Sequence, residues 1–92
     1  MSRYKVTGPW SSTEFDRPEW ATSTGQVLSI ATASITDKVN GDQYLEGAYR
    51  VMLDDKPAKR GKGGTVPFYG ECAWMDANRL YDDIQTADRF AR

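Results

Sequence analysis

Apolar and polar residues alternate in four short runs of this chain. The runs cover residues 3–7 ("RYKVT"), 26–34 ("QVLSIATAS"), 48–53 ("AYRVML") and 65–69 ("TVPFY"). A period of two is typical of β-strands that bury one face, and β-branched and aromatic residues favour that conformation. The pattern therefore predicts a small antiparallel sheet of about four strands.

The period changes in the C-terminal segment, "GECAWMDANRLYDDIQTADRFAR". Its apolar residues recur at spacings of four, three, four, three and four, on one side of a predicted helix: Ala73, Ala77, Leu80, Ile84, Ala87 and Ala91. A helix with one apolar side needs a surface to cover, and the sheet provides it. We therefore expect an α+β fold in which residues 1–92 form a single domain, with Tyr49, Phe68, Trp74 and Tyr81 in its core.

Turn residues connect these elements. The Asn40-Gly41 dipeptide is a strong turn signal, so the second and third strands are expected to form a hairpin, and Gly47 is expected to mark a bulge in it. Residues 10–23 are rich in serine and threonine and contain a proline, which predicts an ordered loop rather than a helix. Its aromatic residues, Trp10, Phe15 and Trp20, are expected to close over the edge of the core.

Composition narrows the function classes. The chain has 92 residues, a net charge of -1, no histidine and one cysteine, Cys72. The lack of histidine removes the usual general base, and a lone cysteine allows no intrachain disulfide. No apolar run is long enough to span a membrane. We expect a cytoplasmic protein that is not an enzyme and has no cofactor, with Cys72 as a small buried residue.

One segment is strongly basic, although the chain as a whole has a net charge of -1. "KPAKRGKGGT", residues 56–65, carries four cations: Lys56, Lys59, Arg60 and Lys62. Because glycines separate them, they cannot form an apolar face, and we expect a flexible cationic hairpin tip that stands out in solvent between the third and fourth strands. Such a loop can bind phosphates, or an acidic protein surface. The alternative is a solvated turn without a partner.

Other candidate sites are weaker. "GKGGT" lacks the serine or threonine after lysine that a phosphate-binding P-loop requires. Adjacent acidic pairs, Asp54/Asp55 and Asp82/Asp83, point apart in a strand or helix, so no catalytic or metal site is predicted. Tyr4, Tyr44 and Tyr69 are the aromatic residues left as candidate exposed contacts.

The whole chain, from "YKVTGPWSSTEF" to "FYGECAWMDANRLYDD", resembles phage-encoded anti-CRISPR proteins, in particular those acting on type I-F surveillance complexes. The resemblance implies a non-enzymatic inhibitor that binds the assembly of Cas protein and guide RNA and blocks target DNA binding. Lys56, Lys59, Arg60 and Lys62 are then the candidate partner-binding residues, with contact to guide RNA phosphates. The alternative prediction is a small nucleic-acid-binding accessory domain of a phage or bacterium.

Overall fold

The computed structural model describes residues 3–12, 17–61 and 64–91. Within these residues there are seven strands and one helix: β1 Tyr4–Val6, β2 Ser11–Ser12, β3 Trp20–Ala21, β4 Val27–Asp37, β5 Gln43–Leu53, β6 Lys56–Pro57, β7 Phe68–Tyr69 and α1 Ala73–Ala91. The strands form one curled antiparallel sheet, and α1 packs against it. The predicted α+β class is confirmed.

Two long strands, β4 and β5, form the centre of the sheet. β1, β2 and β3 pair one after another along the outer edge of β4, and β6 and β7 pair along the outer edge of β5. The turn between the long strands is the predicted one, because Gly41 has a positive φ of 77° and its N–H donates to the carbonyl of Asp37. Each short strand is thus held by pairing with a long neighbour.

The core lies between the long strands and the first half of the helix. Leu28, Ile30 and Val51 from the sheet contact Ala77 and Tyr81 from α1, and all five are buried. The half-buried residues packed around them are Trp20, Tyr49, Leu53, Ala58, Phe68, Leu80 and Ile84.

The pairing of β4 with β5 is interrupted once. Ala33 pairs with Ala48 and Ile35 with Tyr44, so the three residues 45–47 lie opposite Ser34 alone. The bulge predicted at Gly47 is therefore present. A Cβ atom at position 47 would lie 2.5 Å from Cγ1 and 2.6 Å from Cδ1 of Ile35, so only glycine fits there.

Two expectations about the connections are wrong, at least in part. The segment predicted as a loop contains β2 and β3, because two-residue stretches with no strand pattern of their own pair with β4. Trp20 packs on the core as expected, and Phe15 lies outside the described residues.

The basic segment is not a hairpin tip: the chain already reverses at Asp54, where φ is 57°, and β6 and β7 both pair with β5.

The helix also differs from its predicted apolar stripe. Its buried residues are Ala73, Ala77, Asn78 and Tyr81, whereas Ala87 and Ala91 are exposed. Ile84 is the last helix residue that packs against the core cluster. Asp88 nevertheless holds the last turn of the helix, since its carboxylate accepts hydrogen bonds from the Trp20 indole and from the N–H of Ser23.

Replacing Gly47 by Ala is expected to lower the free energy of unfolding by about 1–3 kcal/mol, because the added methyl overlaps Ile35. Urea unfolding measures the change. In an Ile35→Ala background the same substitution should cost much less, because the overlapping atoms are gone. An equal cost in both backgrounds would contradict the steric explanation.

Replacing Asp37 by Asn is expected to destabilise the protein most at neutral pH. Arg3 donates hydrogen bonds to both oxygens of this buried carboxylate, at 3.0 and 2.9 Å, and holds its pKa below the ordinary value against the opposing effect of burial. A depressed pKa stabilises the fold above the unfolded-state pKa of about 4, and that contribution is lost as the pH falls further.

The difference in unfolding free energy between the wild type and Asp37→Asn should therefore shrink as the pH is lowered from about 7 to about 3. Urea unfolding at several pH values gives this difference directly. A difference that stays constant over this range would show that the Arg3–Asp37 charge pair does not contribute to stability.

Candidate partner-binding surfaces

The basic segment begins in β6 and continues as a loop to β7. Lys56 lies in β6 and Lys59 in the loop, and both side chains are exposed. The same edge of β5 holds β6 at Met52 and Leu53 and β7 at Ala48 and Tyr49. Lys56 therefore lies opposite Leu53, the last residue of β5, and Lys59 follows three residues later in the chain.

The sequence predicted that the Arg60 side chain stands out in solvent, and this prediction is wrong. Its guanidinium carbon lies 3.8 Å from the ring centroid of Phe68. Its Nη1 donates hydrogen bonds to the carbonyls of Val66, at 3.1 Å, and Pro67, at 2.9 Å. Arg60 is half-buried and closes the loop onto β7, so its first role is structural.

The backbone of the loop is hydrogen-bonded as well. The N–H of Ala58 donates to Val51, that of Arg60 to Gly64 at 2.7 Å, and that of Gly64 to Gly61 at 3.1 Å. Gly61 and Gly64 have positive φ angles, which glycine adopts without strain. The described part of the segment expected to be flexible therefore has several backbone hydrogen bonds; Lys62 lies outside the described residues.

A groove with a volume of about 370 Å³ opens where the β5 bulge faces the start of the helix. Its aromatic lining comes from Tyr4, Tyr44, Tyr49 and Trp74, and two carboxylates, Glu46 and Glu71, also line it. Trp74 is 41% exposed and Tyr44 43% exposed. The prediction of Trp74 as a core residue is therefore wrong, whereas Tyr44 is an exposed aromatic residue, as expected.

Tyr4 and Tyr69, which the sequence left as candidate exposed contacts, are more enclosed than expected. Tyr4 and Tyr69 are half-buried and stack on each other, with ring centroids 5.8 Å apart and an interplanar angle of 25°. Tyr49 and Phe68 pack against the core as predicted, and so does Tyr81, which is buried. Burial raises the pKa of Tyr81, and its hydroxyl donates a hydrogen bond to the carbonyl of Pro18.

Arg50 is a cation that the sequence reading did not single out. Its guanidinium carbon lies 4.1 Å from the Trp10 ring centroid, and its Nε is buried with no hydrogen-bond partner among the described residues. Burial lowers the pKa of Arg50 from its usual value, yet arginine remains protonated in proteins. Trp10 thus covers a charged side chain as well as the sheet edge.

Cys72 lies just before the helix and is exposed, so the expectation of a buried cysteine is wrong.

Among the described residues no group of three or more His, Cys, Asp or Glu side chains is placed to hold a metal ion. No helix in this part of the chain is long and apolar enough to cross a membrane.

Comparison with protein-family models, curated protein sequences and solved structures finds no match to this chain. A candidate function therefore depends on the chemistry of these surfaces and on the overall resemblance described from the sequence.

Replacing Arg60 by Ala is expected to lower the free energy of unfolding by about 1–3 kcal/mol, because two hydrogen bonds and a stacked cation are lost. Lys59→Ala, which removes a neighbouring exposed charge, should change it by less than about 0.5 kcal/mol. Thermal or urea unfolding of the two variants makes the comparison. Equal stabilities would show that the Arg60 contacts are energetically neutral.

Proposed function

We propose that this chain is a non-enzymatic inhibitor that binds a CRISPR–Cas guide-RNA surveillance complex of type I-F and blocks its capture of target DNA. Its place of action is the host cytoplasm, and its origin is a phage. The resemblance of the whole chain to anti-CRISPR proteins motivates this proposal. The observation that carries it is a pair of exposed lysines, Lys56 in β6 and Lys59 next to Arg60, on a stretch of backbone that is hydrogen-bonded at Ala58 and Arg60.

The contacts of Arg60 support a binding role for this segment, because a restrained backbone loses less conformational entropy when it binds a partner. Arg60 fixes the loop against Phe68, while the neighbouring Lys56 and Lys59 remain exposed. Exposed lysines on a fixed backbone can contact phosphates of the guide or of the DNA path with little further ordering. A solvated turn, the alternative drawn from the sequence, does not require an arginine that closes the loop.

A mobility-shift experiment tests the function. The purified protein is titrated against a preassembled type I-F complex challenged with its DNA target, and separately against free RNA and DNA. We expect loss of target capture without a shift of free nucleic acid. If the protein neither binds the complex nor reduces target capture, the inhibitor function is refuted. Salt-dependent binding to free nucleic acid alone would instead indicate the accessory nucleic-acid-binding domain.

Replacing Lys56 and Lys59 together by Ala is expected to weaken binding to the complex about tenfold and to reduce its dependence on salt, because two phosphate contacts are lost. The matched control replaces Lys5 and Lys38, two exposed lysines elsewhere in the chain, and removes the same charge. Equal effects of the two double variants would assign the attraction to net charge rather than to this loop.

A further inference from the structure

The groove between the β5 bulge and the start of α1 is lined by two acidic residues, Glu46 and Glu71. The N–H of Gly70 donates to the carbonyl of Gly47 at 3.4 Å, so the two sides of the groove are joined there. Glu46 directly precedes one of these glycines and Glu71 directly follows the other. Their backbones are therefore close, and both residues line the same groove.

The charge of this pair is not balanced locally. Neither Glu46 nor Glu71 forms an ion pair with any residue in the described ranges, whereas Arg3, which lies 5.8 Å from the Tyr4 ring centroid, is already paired with Asp37. The residues that line the groove include these two acids and no basic residue, so its lining carries two formal negative charges and no positive one. The electrostatics of the groove thus favour a positively charged occupant and oppose a phosphate.

The aromatic residues narrow the chemistry of the occupant. Tyr and Trp rings attract cations through their faces, and a planar guanidinium stacks on such rings while it donates paired hydrogen bonds to carboxylates. A volume of about 370 Å³ is at the low end for ligand sites, which suits one long side chain. We propose that this groove binds an arginine side chain presented by a protein partner.

The backbone at Glu46 supports a binding role. Its φ of 56° lies in the left-handed region, which non-glycine residues seldom adopt. Backbone of this kind costs free energy and tends to occur where a fold positions residues for binding or catalysis. Here it places Glu46 in the groove and leaves the adjacent Leu45 86% exposed at its rim.

This proposal is independent of the inhibitor function. Lys56 and Lys59 do not line the groove, and an arginine side chain is found on many protein surfaces. Failure of the CRISPR experiment would therefore leave the groove proposal untouched, and the converse also holds.

Two-dimensional NMR of the isotope-labelled full chain tests the proposal. The probe is N-acetyl-arginine-N-methylamide, added to about 50 mM at constant ionic strength, because one side chain in an open groove is expected to bind with a dissociation constant on the order of millimolar. We expect saturable shifts of the Gly47 and Gly70 amides and of the Trp74 indole. The corresponding citrulline derivative, which has nearly the same shape without the charge, should cause none.

Replacing Glu46 and Glu71 together by Gln should weaken probe binding at least about fivefold, since both charge partners are lost. The control replaces Asp55 and Asp83, two exposed carboxylates outside the groove, by Asn and should leave the dissociation constant within about twofold. Equal shifts with the arginine and citrulline probes, no saturable shift at the groove, or equal losses in both double variants would each overturn the proposal.

Discussion

The close approach of Gly47 to Ile35 is the constraint on which the rest of this structure depends. It lets β5 accommodate three residues opposite one residue of β4 and then resume pairing as far as the Asn40-Gly41 turn. The two long strands provide both edges on which every described short strand pairs. The same bulge forms one side of the groove and brings Glu46 into it. The absence of a side chain at position 47 thus shapes both the sheet and one side of this groove.

Arginine and lysine have different places in this small fold. Arg3 pairs with a buried carboxylate, Arg17 lies 4.2 Å from the Tyr81 ring centroid and pairs with Asp82, and Arg60 closes its loop on Phe68. A guanidinium can stack on a ring and donate several hydrogen bonds at once, which an ammonium group cannot. The described lysines, in contrast, are exposed: Lys5, Lys38, Lys56 and Lys59. These three arginines therefore hold segments of the chain together, whereas the four lysines carry their charge in solvent.

Residues of opposite charge precede and follow β7 in the chain. The loop with Lys56 and Lys59 leads into this strand, and the turn with Gly70 and Glu71 leaves it toward the helix. A net charge near zero thus conceals a local separation of charge along one edge of the sheet. A partner that combines phosphates with basic side chains, as an assembly of protein and nucleic acid does, could contact both surfaces at once.

The sequence by itself determined the class of this fold, because its signals are local. Alternation of apolar residues located β4, β5 and β7, the Asn40-Gly41 turn joined the long strands, Gly47 marked the bulge, and the spacing from Ala73 to Ile84 located the helix. Local pattern also identified Tyr44 as exposed and Tyr81 as core.

Only the tertiary structure decided which charged and aromatic side chains are available to a partner. β2 and β3 exist because β4 offers them a free edge, and their own residues carry no strand pattern. Arg60 lies among lysines in the sequence, and its structural role appears only in the fold, where its guanidinium reaches Phe68 and the carbonyls of Val66 and Pro67. The bulge and the start of the helix are far apart in the chain but close in the fold. For this reason Trp74 lines a groove instead of the core, and Glu46 and Glu71 line the same groove. Contacts between distant residues depend on how the elements pack, and residue spacing does not encode that packing directly.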